Sequence, residues 1–256
     1  MPEDIAPILA DWPYNPDKNV RIVRLADDRE VLQVRIDQGA LQGILQMDLD
    51  GRPDGICPHG HAFWLDYFHE RLKAYVHRHQ SDDDFRLNHV QCGRLFEESQ
   101  RVYQRYIFLL QLQDFPRVIR DTQRNMDLFR FVNRYADSED DRMTLEKWWP
   151  YILRVNSEAR ALAAVDAERY EEALSVIHDA RTRIETLDEV DAEEFYHERA
   201  RSIQALAEME KAIQQGRPLS TEERLEKQLR EAVNKEEFET AAVLRDRLES
   251  LRHGGG

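Results

Sequence analysis

The sequence predicts a mainly α-helical protein with a small antiparallel β region at its N-terminus. Three observations lead there. The chain of 256 residues is charge-rich and glycine-poor, with 34% charged residues and 10 Gly, a balance that favours helices. Apolar residues alternate with period two early in the chain and recur at three- and four-residue steps from His61 onward. Pro2, Pro7, Pro13, Pro16, Pro53 and Pro58 place most of the 9 prolines in the first eighty residues.

Val20 to Leu25 reads as the first strand, with Asp27-Asp28 as its turn. Val31 to Asp37 alternates strictly: Leu32, Val34 and Ile36 point one way, Gln33, Arg35 and Asp37 the other. Ile44 to Asp50 alternates again, with Leu45, Met47 and Leu49 opposed to Gln46, Asp48 and Asp50. The loop Gly51-Arg52-Pro53-Asp54-Gly55 is built of turn formers. The expectation is a small meander with one wet face. From His61, the residues Phe63, Leu65, Phe68, Leu72 and Val76 mark a helix ending near Gln80. Ser81 to Asp84 is a capping break. Helices are predicted from about Leu87 to Leu112 and from Pro116 to Tyr135, where Pro116 suits a first turn. Asp137 to Asp141 reads as an acidic loop. Further helices fit Leu145 to Val165, with a disturbance at Pro150, Arg169 to Leu187, and Ala192 to Gln215. Gly216-Arg217-Pro218 is a stop, and Ser220 with Glu223 forms a capping box for the next helix. Three domains are therefore expected: a small α+β domain at 1–80, a helical-hairpin domain at 85–215, and a hairpin at 220–252.

The charge restricts function. With 36 Lys+Arg against 50 Asp+Glu the net charge is −14, which opposes direct binding to nucleic-acid phosphates. Cys57 and Cys92 are too few for a disulfide framework at this length. The first residues lack a basic segment followed by an apolar run, and no stretch approaches the ~20 apolar residues of a spanning helix. A cytoplasmic protein of bacterial type, without membrane contact, is expected.

Three segments share a helix–turn–helix pattern in which an aromatic precedes a small or branched apolar residue by three positions. They are Asp114-Phe115-Pro116-Arg117-Val118, Arg169-Tyr170-Glu171-Glu172-Ala173 and Glu237-Phe238-Glu239-Thr240-Ala241. The first two resemble tetratricopeptide-type hairpins. The third lies in a longer run, with Leu225, Leu229 and Ala232 striping one helix and Phe238, Ala241, Ala242, Leu248 and Leu251 the next. Its core, Phe238-Glu239-Thr240-Ala241-Ala242-Val243-Leu244-Arg245-Asp246, resembles the UVR motif of the UvrB and UvrC excision-repair subunits. It is also similar to the C-terminal modules of the activator of bacterial protein-arginine kinase and of some Clp-associated proteins. The resemblance covers about residues 222–252. It implies a protein–protein contact, including pairing with a second such hairpin, through Leu225, Leu229, Ala232, Phe238, Glu239, Ala242, Arg245, Asp246 and Leu248. A hairpin of about thirty residues cannot bury enough surface to stand alone, so its stripe calls for a partner, another copy or the rest of this chain. The layout also resembles a class of bacterial UVR-motif proteins in which Gln46 to Gly55 (QMDLDGRPDG) precedes a helical middle with Arg120 to Asn125 (RDTQRN). That resemblance supports the domain layout and implies no reaction.

Candidate chemistry is sparse. Cys57, His59 and His61, with His89 and Cys92 if the two segments meet, are zinc-type ligands. The favoured reading is loop histidines and two partly buried thiols, with no metal, and the paired CxxC motifs through which the kinase-activator relatives bind zinc are missing. Gln33, Arg35, Asp37, Gln46, Asp48, Arg52 and Asp54 compose a possible polar ligand patch on the wet face, or simply a solvated one with Arg52 paired to Asp48 or Asp54. Arg120 to Asn125 on a helix suits either a peptide terminus or helix–helix polar contacts, and Trp148-Trp149-Pro150-Tyr151 suits stacking or core. No Walker loop, GxSxG, HExxH or dinucleotide fingerprint is present. The expectation is a non-enzymatic adaptor without cofactor. Its alternatives are an accessory of excision repair acting through UVR–UVR pairing, or a regulator of Clp or protein-arginine kinase pathways.

Overall fold

The computed structural model describes residues 5–218, 221–234 and 243–248. Of the described residues 66% are helical, with a three-stranded antiparallel sheet near the N-terminus and a C-terminal helix pair. A short α1 (Ala6–Asp11) precedes β1 (Val20–Arg24), β2 (Glu30–Gln38) and β3 (Leu41–Asp48), which lie in that spatial order. After a 3₁₀ turn at Pro58–Gly60 come α2 (Trp64–His79), α3 (His89–Gln111), α4 (Phe115–Tyr135), α5 (Glu139–Glu146), α6 (Trp149–Asp166), α7 (Tyr170–Glu185), α8 (Glu193–Gly216) and α9 (Thr221–Asn234); residues 243–248 are also helical. By packing, the chain divides into two units, Met1–Glu210 and Lys211–Gly256. Among the described residues no helix is long and apolar enough to cross a membrane.

The register explains the sheet's apolar face. Val34 stands opposite Val20 and Leu45, and Leu32 opposite Ile22 and Met47. Directly opposed side chains share a face, so Val20, Leu32, Val34 and Met47 lie on one side. With Leu49 they pack on Val102, Tyr106 and Leu109 of α3, Phe115 and Val118 of α4, and Val155 and Ala159 of α6. Sheet and helices thus share one core, and the expected boundary between residues 80 and 85 is not a boundary of packing.

The opposite face departs from the expected wet surface. Arg35 is only 4% exposed, and Val31 on the same face is buried. The Arg35 guanidinium donates to the carbonyl oxygens of Trp12 (3.3 Å), Ile36 and Gly43 (3.4 Å). Strict alternation assigns a residue to a face; it does not say whether that face is covered, and here the segment after α1 covers part of it.

Two helix boundaries differ from the sequence reading. The acidic segment 137–141 is not all loop. Ser138 caps α5, its hydroxyl accepting from Asp141 N at 3.2 Å, and Glu139, Asp140 and Asp141 occupy the first turn, where a helix dipole favours anions. The helix expected from Leu145 is two helices, and Pro150 opens the second, where its missing donor costs nothing.

The first two predicted hairpins, α3–α4 and α6–α7, turn in the same way. Gln113 (φ +59°) and Glu168 (φ +58°) take the left-handed conformation. Asp114 N donates to Leu109 O at 3.0 Å and Gln113 N to Leu110 O at 3.0 Å; Arg169 N donates to Ala164 O at 2.8 Å and Glu168 N to Val165 O at 2.9 Å. These paired bonds are the Schellman termination of a helix. Phe115 is buried and Tyr170 half-buried at the following helix starts, and Val118 and Ala173 are buried three residues on. The third copy, at Phe238, lies outside the described residues, as does the Ser220–Glu223 capping box.

Candidate functional site

The two segments QMDLDGRPDG and RDTQRN meet. Asp121 and Arg105 are each 1% exposed, and the Asp121 carboxylate accepts from Arg105 Nε at 2.6 Å and Nη2 at 2.8 Å. Arg105 Nη1 donates to the carbonyl oxygens of Asp48 (2.8 Å) and Gly51 (2.7 Å). Arg120 donates to Asp121 at 3.0 Å, to Leu49 O at 2.6 Å and to the Asp50 carboxylate at 2.8 Å. Carbonyls released where β3 ends must find donors, and a guanidinium with five fixed donors serves several at once. The loop itself is set by Gly51 and Gly55, both at positive φ; a Cβ on Gly55 would meet Asp48 Oδ2 at 3.0 Å.

A second buried charge joins the loop to α2. Glu98, 1% exposed on α3, accepts from Trp64 N (2.6 Å), Leu65 N (3.1 Å) and Arg52 Nη1 (3.2 Å). Phe63, the residue before α2, provides no side-chain cap. Glu98 therefore caps α2 from a neighbouring helix. Burial pushes its carboxyl above the usual range, against the pull of those donors. Arg52 also holds Asp54 at 2.7 and 3.0 Å, which keeps the Asp54 carboxyl below its ordinary value. Arg124 lies over the Phe63 ring at 3.7 Å and reaches Asp66 at 3.2 Å. Thr122 accepts from Asn156 of α6 at 2.8 Å. The segment 120–125 is a helix–sheet fastening, and of the two readings the sequence allowed, polar packing is the one that the geometry fills.

The proposed polar patch is divided. Gln33 accepts from Arg21 at 2.8 Å and donates to Gln46 at 3.0 Å, a ladder across the three strands. Asp48 takes Arg29 at 3.3 Å, and Asp37 stands opposite Gln42. Arg35 is buried, and Arg52 and Asp54 are engaged against α3, with Arg101 adding a contact to Asp54 at 2.9 Å. By register Gln33, Arg35, Asp37, Gln46 and Asp48 share one face of the sheet, whereas Arg52 and Asp54 lie in the loop beyond β3.

The cysteine and histidine candidates also take separate partners. His59 stacks on Tyr67, with ring centroids 4.3 Å apart, and His61 Nε2 lies 2.8 Å from Glu70. His89 Nδ1 lies 2.8 Å from Asp141. Cys57 is exposed; Cys92 is buried, and burial pushes its thiol up to about 12. Among the described residues, no three His, Cys, Asp or Glu side chains gather where they could hold a metal ion.

Glu98 and Arg105 escaped the sequence reading, although a signal was there. Leu95, Glu98, Val102, Arg105 and Leu109 follow three–four spacing along one stripe of α3. Two charges inside an apolar stripe announce buried partners.

In the C-terminal unit, Leu225 and Leu229 are half-buried on α9, and Leu248 is 5% exposed. Arg245 and Asp246 are exposed, 3.3 Å apart. Val233 and Val243 are exposed apolar residues of the same pair of helical segments. Phe238, Glu239, Ala242 and the side chain of Ala232 lie outside the described residues. Fold and site together define a helical protein that carries a C-terminal helix pair. Residues 223–254 match the family model described as the UvrB/uvrC motif. No curated protein and no solved structure matches the chain.

Proposed function

We propose that this is a non-enzymatic adaptor of the cytoplasm, which binds a protein partner through its C-terminal UVR hairpin while the helical hairpins, tetratricopeptide-like in their turns, serve as scaffold. The observation that carries the reading is the UvrB/uvrC motif match at residues 223–254, a module known for protein–protein contact in repair-related proteins. Exposed Val233 and Val243, with Leu225 and Leu229 half-buried, support it, since apolar side chains held at the surface suit an interface. The net charge of −14 supports protein rather than nucleic acid as the partner.

The experiment compares wild type with Val233→Asp and Val243→Asp by sizing with light scattering and by affinity capture. Loss of a partner or of self-association in the variants is expected. An unchanged oligomeric state and partner set would remove the reading. The motif's description favours one specific form, an excision-repair accessory that pairs with the hairpin of a UvrB or UvrC subunit. Failure to bind either subunit at micromolar concentration would eliminate that form and leave the broader one standing.

A further inference from the structure

A cavity of about 340 Å³ opens between α3, α4, α5, α6 and α8, within the Met1–Glu210 unit; of its lining only Asn125 belongs to the helix–sheet fastening. Tyr103, Tyr106, Trp148 and Tyr151 give it aromatic walls, and Asn125 and Glu198 line it as well. Its size lies at the lower end of small-molecule sites.

Two of its polar atoms are buried acceptors without a partner. Asn125 is 2% exposed; its Nδ2 donates to Ser99 O at 2.9 Å, while its Oδ1 has no partner in the protein. The Ser99 carbonyl fixes the orientation of the amide, so the free end is an acceptor. Glu198 Oε2 is buried and likewise without a partner, while the other carboxylate oxygen faces Arg201 at 3.5 Å. Native proteins leave few buried polar atoms unmatched, and each one asks for a reason. Two open acceptors, one of them anionic, beside aromatic faces match a ligand that brings N–H donors, positive charge and an apolar body. The nearby cations do not meet that need. Arg201 lines the cavity but meets only the other oxygen of Glu198 and holds most of its side chain in solvent, and Arg154, over the Tyr151 ring, is bound to Glu158 at 3.0 Å.

We propose that this cavity binds a small organic cation, an ammonium or amidinium on an apolar or aromatic body. Asn125 Oδ1 and Glu198 Oε2 accept its N–H donors, and the tyrosines and Trp148 enclose its body.

The test uses the full chain with benzamidine and its neutral counterpart benzamide as probes, read by calorimetry and by ligand-observed NMR. Benzamidine is expected to bind at least about tenfold more tightly than benzamide, because a charge-assisted hydrogen bond to a buried carboxylate is the stronger kind. Glu198→Gln, which keeps the side-chain shape, abolishes that preference. Tyr103→Ala, at a partly exposed wall, weakens both probes and gives a second variant that leaves the buried amide intact. Absence of binding at 10 mM, meaning that the cavity holds only water, overturns the proposal. So does equal binding of the two probes, or a preference that survives Glu198→Gln in a folded variant.

Discussion

Arg105 and Asp121 form a two-pronged ion pair, 2.6 and 2.8 Å long, in which each partner is 1% exposed. Removing one partner strands the other charge, so Asp121→Asn or Arg105→Met should each destabilise by about 3–5 kcal/mol. The double replacement should cost clearly less than the sum. Urea unfolding of the four proteins gives the cycle, and strictly additive losses would mean that the pair acts as two independent residues.

The two thiols should react unequally. Iodoacetamide at pH 8 is expected to modify exposed Cys57 and spare Cys92 until the chain unfolds. Mass spectrometry of the alkylated protein reads this directly, and equal labelling of both would contradict the burial.

The same burial gives an alkaline limit. Because the Cys92 thiol is raised from 9.0 to about 12, the folded chain holds that proton more tightly than the unfolded one. The contribution is complete below pH 9 and is lost as pH climbs towards 12. Tyr106 and Tyr151, also raised by burial, add losses of the same sign above pH 10. Cys92→Ala should therefore flatten the first part of the stability decline. Thermal unfolding between pH 8 and 11 checks it, and parallel curves for the two proteins would refute it.

The matching turns predict a matching response. Gln113→Gly and Glu168→Gly are expected to be neutral or to stabilise by up to about 1 kcal/mol, since glycine carries no Cβ into the left-handed region. Gln113→Val and Glu168→Val should destabilise by about 1–2 kcal/mol. If the valine variants matched the glycine ones in urea midpoints, the turn geometry would be wrong.

Much of this architecture is legible in the sequence, for reasons visible at particular residues. Alternation through Leu32, Val34 and Ile36 located the central strand, and three–four spacing from Phe63 to Val76 located α2, because both patterns are local. What faces a stripe is not local. Glu98 reads as one more charge on an amphipathic helix until Trp64 and Leu65, 34 and 33 positions away, supply the amides it caps. Arg35 shows the same limit from the other side, since alternation cannot reveal that its guanidinium reaches the Trp12 carbonyl. The hairpin was legible for a different reason: its residues carry a recurrent pattern that a family model also matches.

The clasp on the meander has a consequence for how the chain is made. Arg105 reaches back to carbonyls 57 and 54 positions earlier, and most of the cover of the apolar face of β2 comes from α3, α4 and α6. The strands are made before α3 and α4, so Leu32, Val34 and Met47 must wait for Val102, Arg105, Val118 and Asp121 to follow. Non-local closure of this kind is slow relative to helix formation, and apolar strands left uncovered meanwhile are open to off-pathway association.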